Sequence, residues 1–155
     1  MAHTSRSRSA FKRLSCGSPA IAALAAAAAL CAAAPAYADT VYQALGGGPG
    51  LTCIVDDLFE LNLADPRIKD KFGNINIDRL KLRIVDDFCT VTGGPCRFKG
   101  ISMKGAHGYL QLHQYHFDAM VENLQQAMDG CNVGFRSQNR LLALLAPMER
   151  DIVSQ

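Results

Sequence analysis

The sequence predicts one all-α domain behind an N-terminal segment of different composition. Apolar residues recur three and four positions apart in long segments, the joints between these segments are short and rich in glycine, and no stretch alternates apolar with polar residues. Of the 155 residues, we assign 1–38 to a secretory signal peptide and 39–155 to the folded domain.

The N-terminal segment has the parts of a signal peptide. An apolar run at 21–34, almost entirely alanine and leucine, is followed by the small residues Ala36 and Ala38. It is shorter than the roughly 20 residues that cross a membrane. We therefore expect cleavage after Ala38, export to the periplasm and no stable membrane insertion after cleavage. An uncleaved membrane anchor or an alanine-rich tail is the alternative. The basic residues that precede the apolar run are Arg6, Arg8, Lys12 and Arg13.

The charge of the folded domain argues against a nucleic-acid partner. The whole chain has 16 basic and 14 acidic residues, a formal charge of +2. Four of the basic residues and none of the acidic ones lie in the signal segment, so the domain alone is negative by two charges. A basic surface is the usual mark of nucleic-acid binding, and we expect none here.

The first half of the domain is predicted to contain a short helical turn, a long helix and a second short helix. A short turn at 41–45 is stopped by the glycine-rich run at 46–50, and a long helix follows from Leu51. Pro66 then starts a short helix towards Phe72. The apolar positions of the long helix are Leu51, Ile54, Val55, Leu58, Phe59 and Leu63.

The second half is predicted to contain three more helices and one long loop. Asp78 opens a helix with Leu80, Ile84 and Phe88 on one stripe, and the glycines at 93–94 end it. A loop then leads to His107. The last two helices carry apolar residues at 117–128 and at 141–152, with a break at 130–134.

Four cysteines remain in the domain: Cys53, Cys89, Cys96 and Cys131. In an oxidising compartment an even number favours disulfides, and four cysteines allow three pairings. The turn at 93–95 would bring Cys89 and Cys96 together. Four buried thiols are the alternative, and the spacing does not fit a zinc site.

Three histidines are the candidates for chemistry, because the domain has no nucleophile motif or phosphate-binding loop. His113 and His116 are spaced to share a helix face, but no third metal ligand accompanies them. We expect His116 at the surface or partly packed. His107 lies among large apolar residues and glycines, the setting that a haem iron ligand needs.

An ordered series of motifs then resembles the group I truncated haemoglobins. The resemblance runs from residue 40 to 153 and implies a two-over-two helical sandwich around haem b that binds a diatomic gas. The motifs are Val41-Tyr42-Gln43-Ala44-Leu45-Gly46-Gly47, Leu63-Ala64-Asp65-Pro66-Arg67-Ile68, Phe72, Arg79-Leu80-Lys81, Gly93-Gly94-Pro95, Met103-Lys104-Gly105-Ala106-His107 and His116-Phe117.

The resemblance also implies roles for individual residues. His107 matches the proximal iron ligand, and Arg83 lies where a basic side chain reaches a haem propionate. The remaining cofactor-binding positions are Phe72, Leu80, Ile84, Phe98, Met103 and Phe117.

This chain departs from the family on the distal side of the haem. Phe59 stands where members commonly carry a tyrosine, and Ile84 where they commonly carry a glutamine. With Leu80, these residues would form a wholly apolar distal pocket. A charge-assisted hydrogen bond to bound oxygen is worth about 1.5–3 kcal/mol, so its loss would speed oxygen dissociation by roughly one to two orders of magnitude.

We therefore expect an exported haem protein that binds oxygen, nitric oxide or carbon monoxide at a five-coordinate iron, for oxygen binding or transport. Nitric oxide dioxygenation or weak peroxidase activity is the enzymatic alternative, with a reductase as a candidate partner. A disulfide-linked helical binding module without haem is the third hypothesis. We expect a monomer or a weak dimer.

Overall fold

The computed structural model describes residues 40–153, which belong to one compact unit. The helices are α1 (Val41–Ala44), α2 (Gly47–Ala64), α3 (Ile77–Val91), α4 (Met103–His107), α5 (Gln114–Gly130), α6 (Phe135–Leu145) and α7 (Glu149–Ile152), with 3-10 turns at Lys69–Phe72 and Ala146–Met148. No β-strand occurs among residues 40–153, which confirms the all-α prediction. The predicted signal peptide and its cleavage site lie outside the described residues.

The hydrophobic core is built around α2. This helix packs against α5 and α3, while α1 packs against α2 and α6. Fully burying one such aliphatic or aromatic side chain contributes about 1.5–3 kcal/mol, so this helix anchors the fold. The fully buried apolar residues of α2 are Leu51, Ile54, Val55, Leu58 and Phe59, and they meet Phe88 and Cys89 of α3, Leu124, Ala127 and Met128 of α5, and Leu141 of α6.

The glycine-rich run at 46–50 was predicted to be a joint, but it is mostly helical. Gly46 takes the left-handed conformation (φ 86°) at the N-cap, and α2 begins at Gly47 rather than at Leu51. At Gly50, a side chain would collide with the backbone carbonyl of Leu45. Glycine is therefore needed because α1 and the first turn of α2 cross in close contact.

Two other predicted helices differ from the structure. The segment after Pro66 forms only a 3-10 turn at Lys69–Phe72. The last predicted helix is divided at Pro147 into α6, a 3-10 turn and α7, since proline lacks an amide hydrogen and clashes with the preceding turn. Among the described residues, no helix is long and apolar enough to cross a membrane.

A polar network ties the end of α2 to α5. The Asn123 amide donates to Asn62 Oδ1 (2.9 Å) and to Asp65 Oδ2 (3.2 Å), and the Asn62 amide donates to Met120 Sδ (3.1 Å). Hydrogen bonds from Arg67 lower the pKa of Asp65 to about 2. The buried amides of Asn62 and Asn123 are thus satisfied within the protein.

All four domain cysteines are paired. Cys53 of α2 is bonded to Cys131 at the end of α5, and Cys89 of α3 is bonded to Cys96 in the following loop. The turn at Gly94 brings the second pair together, with the Gly94 amide donating to the Cys89 carbonyl (2.7 Å). Of the alternatives left open by the sequence, the structure therefore has disulfides and not buried thiols.

Candidate functional site

His107 is held in one orientation and one tautomer. It is the last residue of α4, which is capped by the Ser102 side chain, and its Nδ1 lies 2.8 Å from the Met103 carbonyl oxygen. A carbonyl oxygen only accepts hydrogen bonds, so Nδ1 carries the proton and Nε2 keeps its lone pair. Because a backbone acceptor on the second nitrogen is the usual support of a metal-binding imidazole, His107 is prepared to bind a metal through Nε2.

This acceptor was not predicted from the sequence. Met103 precedes His107 by four residues, the spacing at which a helical side chain meets a carbonyl of the preceding turn. The five-residue helix α4 had been interpreted as part of a loop, which hid this relation. Met103 therefore has a backbone role that is additional to the side-chain role predicted for it.

The apolar residues predicted to contact the cofactor share an intermediate exposure. Core residues around α2 are sealed from solvent, whereas these six each keep part of their apolar surface accessible. A flat apolar cofactor would cover such surface, so the side chains suit a haem. They are Phe72, Leu80, Ile84, Phe98, Met103 and Phe117.

Phe59 lies deeper than these residues. Its side chain is fully buried and meets the ring of Phe72 edge to face, with ring centroids 5.5 Å apart. Leu80 and Ile84 lie one turn apart on α3, which packs against α2. None of the three predicted distal side chains carries a hydrogen-bond donor.

Arg83 is exposed on α3 and forms no ion pair with another described residue. Its guanidinium is therefore available to a carboxylate outside the chain, such as a haem propionate.

His116 is buried, contrary to the sequence prediction of a surface or partly packed residue. Only 4% of it is exposed, its Nδ1 accepts a hydrogen bond from the His113 amide (2.9 Å), and its ring packs on Tyr115. Burial, aided by the nearby charge of Lys71, holds the pKa of His116 below its usual value. His116 thus supports the start of α5, which sequence periodicity alone did not indicate.

Other surface features of the described residues do not compete with His107. Cys53, Asp57 and Cys131 bring potential metal-binding atoms together, but both sulfurs are used in the disulfide. One shallow cleft lies at the C-terminal end, around Pro147 and Arg150, and another between α2 and α5, around Glu60 and Gln126. Neither cleft is lined by a histidine or a cysteine, so His107 stays the candidate for holding a haem.

Comparison with known proteins finds relatives of this chain among the truncated haemoglobins. A family model described as bacterial-like globin matches residues 40–154. The group 1 truncated hemoglobin of Tetrahymena pyriformis is 29% identical over 117 residues, which cover 76% of this chain and 97% of that protein. The group 1 truncated hemoglobin of Tetrahymena thermophila is 36% identical over 85 residues, which cover 55% of this chain and 70% of that protein.

Solved structures of truncated haemoglobins are also similar to the structure of this chain. The Fe(III) form of the Tetrahymena pyriformis truncated hemoglobin has a TM-score of 0.73 at 29% identity, covering 76% of this chain and 100% of that one. The 2/2 hemoglobin of a Synechococcus species, in the cyanomet state and with covalently attached heme, has a TM-score of 0.71 at 28% identity over the same shares.

Proposed function

Since this chain belongs to the group 1 truncated haemoglobins of the bacterial-like globin family, we propose that it binds haem b through Nε2 of His107 and a diatomic gas at the iron. The family implies a haem cofactor and gas binding, and the truncated-globin fold expected from the sequence is confirmed. The haem would supply an iron centre that binds gases reversibly, and the chain would supply the axial nitrogen and the apolar surroundings.

The main support for this proposal is the hydrogen bond between His107 Nδ1 and the Met103 carbonyl oxygen. It fixes Nδ1 as the protonated nitrogen and directs the lone pair of Nε2 away from α4. The half-buried side chains of Phe98, Met103 and Phe117 supply apolar surface on the proximal side, and Arg83 supplies a cation for a propionate.

Absorption spectra of the purified protein test the proposal. We expect a Soret band in the ferric protein that shifts on reduction and again on addition of carbon monoxide, with one haem per chain. A colourless protein after expression with ample haem would favour the binding module without haem.

The second part of the proposal is an apolar distal pocket formed by Phe59, Leu80 and Ile84. On α2, the Asn62 side chain lies one helical turn from Phe59 and is engaged elsewhere: its oxygen accepts from Asn123 and its amide donates to Met120. No side chain from these three residues can donate to bound oxygen, so the oxygen complex would lack the charge-assisted bond that slows its dissociation.

We expect fast oxygen dissociation from the wild-type protein and slower dissociation after Phe59→Tyr. A new donor worth about 1.5–3 kcal/mol would slow the rate by roughly one to two orders of magnitude. Stopped-flow measurement of oxygen release gives both rates. Phe135→Tyr is the control, because Phe135 is 72% exposed whereas Phe59 is fully buried. Equal rates in the wild type and Phe59→Tyr would contradict the placement of Phe59 beside the ligand.

We also infer that the protein is exported and loses residues 1–38. The two disulfides support this inference, because such bonds persist in oxidising compartments and are rare in the cytosol. In a host with a general secretion pathway, mass spectrometry of the periplasmic protein should give an N-terminus at Asp39. Ala38→Arg should block this cleavage, because the site requires small residues, while Asp39→Asn should leave it intact. A periplasmic protein that still carries residues 1–38 would contradict the inference.

A further inference from the structure

Asp87 lies on the same face of α3 as two of the distal residues. Leu80, Ile84 and Asp87 are spaced by four and three residues, which places them within about 60° of one another around the helix axis. Asp87 follows Ile84 by about 4.5 Å along that axis. The stripe that would face the ligand therefore contains one carboxylic acid.

Asp87 is also buried without a partner. Only 9% of it is exposed, yet within residues 40–153 no group donates a hydrogen bond to its carboxyl and no cation pairs with it. Other buried polar side chains are satisfied: Thr92 donates to the Phe88 carbonyl, and the Gln138 amide donates to Asp129 and to the Val133 carbonyl. A carboxyl that is nine-tenths buried and has no protein partner is uncommon, so it calls for a functional explanation.

The charges around Asp87 do not explain why its carboxyl is buried without a partner. On α3, Arg83 and Asp86 are exposed and Lys81 is paired with Asp56 of α2 at 3.0 Å. Burial alone raises the pKa of Asp87, with no contribution from a charged neighbour. Because no sealed and unbonded oxygen occurs among the described residues, the carboxyl oxygens of Asp87 keep contact with accessible space.

We propose that Asp87 is the polar group of the distal face and that it accepts the proton of small protic ligands that bind the haem iron as anions. This proposal rests on the proposed haem function. Hydrogen cyanide is a suitable probe: on binding, its H–C bond would break, the carbon would bind the ferric iron that the haem supplies, and the proton would pass to a carboxyl oxygen of Asp87, directly or over one water. The carboxylate becomes a neutral acid, and no electron is transferred.

The environment of Asp87 suits this task. A carboxyl whose pKa is raised by burial holds a proton more readily than an exposed one, which is the property required of a base near neutral pH. The other distal residues, Phe59, Leu80 and Ile84, have no group that could take the proton. Asp87 was not predicted as a site residue, because two adjacent aspartates are chemically equivalent in the sequence and only burial distinguishes Asp87 from Asp86.

Cyanide binding to the ferric haem-loaded protein tests the proposal at neutral pH, where the free ligand is hydrogen cyanide. We expect Asp87→Asn to slow the association by about tenfold or more, since a positioned base contributes at least this much. Asp86→Asn is the matched control and should keep the wild-type rate, because Asp86 is exposed.

Infrared difference spectra provide a readout that does not depend on rates. Cyanide binding to the wild type should produce the C=O band of a newly protonated carboxyl, which Asp86→Asn keeps and Asp87→Asn lacks. Absence of that band in the wild type overturns the proposal even if Asp87→Asn fails to fold, and so does an unchanged association rate in Asp87→Asn. A wild-type protein without a haem spectrum instead contradicts the proposed function.

Discussion

Replacement of His107 by alanine is expected to abolish the Soret spectrum of the native protein. The change removes Nε2, the nitrogen that the hydrogen bond to Met103 leaves free for iron, and no other described histidine is placed to replace it. His113 is exposed, and His116 is buried with its Nδ1 occupied by the His113 amide. The measurement is the absorption spectrum and the haem content per chain of the purified variant.

Two controls separate loss of the ligand from loss of the fold. His113→Ala should keep the wild-type spectrum, because its ring is not part of the predicted haem site. Added imidazole should restore much of the native spectrum to His107→Ala by filling the space of the missing ring. An unchanged Soret band in His107→Ala without imidazole would show that another residue holds the iron.

Removal of the Cys53–Cys131 disulfide is expected to cost more stability than removal of Cys89–Cys96. The first bond spans 78 residues, and the second spans 7. Loop-closure entropy predicts losses of about 4.5 and about 2.4 kcal/mol respectively. The first bond therefore accounts for a large share of the roughly 5–15 kcal/mol by which a typical small domain is stable.

Urea unfolding of the paired alanine variants measures both losses. Cys53→Ala with Cys131→Ala should lower the midpoint further than Cys89→Ala with Cys96→Ala. Alanine is preferred to serine because Cys89 is 1% exposed and a buried hydroxyl would add its own cost. A larger loss from the short loop would mean that packing around Cys89, and not chain entropy, dominates.

Much of the fold followed from local patterns. The long helices α2, α3 and α5 were predicted because their apolar residues repeat with the period of a helix, and this repeat depends only on nearby residues. The helix boundaries were less well predicted. α2 begins at Gly47 rather than at Leu51, and the close approach of Gly50 to the Leu45 carbonyl does not show in the local pattern.

The candidate site was predicted less completely than the fold. His107 and its apolar surroundings were named from the order of the motifs, and their roles in binding haem stay predictions. The proton position on His107 was within reach of the sequence, through the four-residue spacing to Met103, but required recognition of the short helix α4. The burial of His116 depends on packing and had no comparable local signal.

The sequence by itself therefore determined the all-helical class, the family and the choice of His107 as the candidate ligand, because these rest on periodicity and on the order of short motifs. Only the tertiary structure decided which cysteines pair and which of two adjacent aspartates is buried. Asp86 and Asp87 are adjacent in the sequence and lie about 100° apart around α3. Packing on one side of α3 therefore determines which of the two carboxyls is buried.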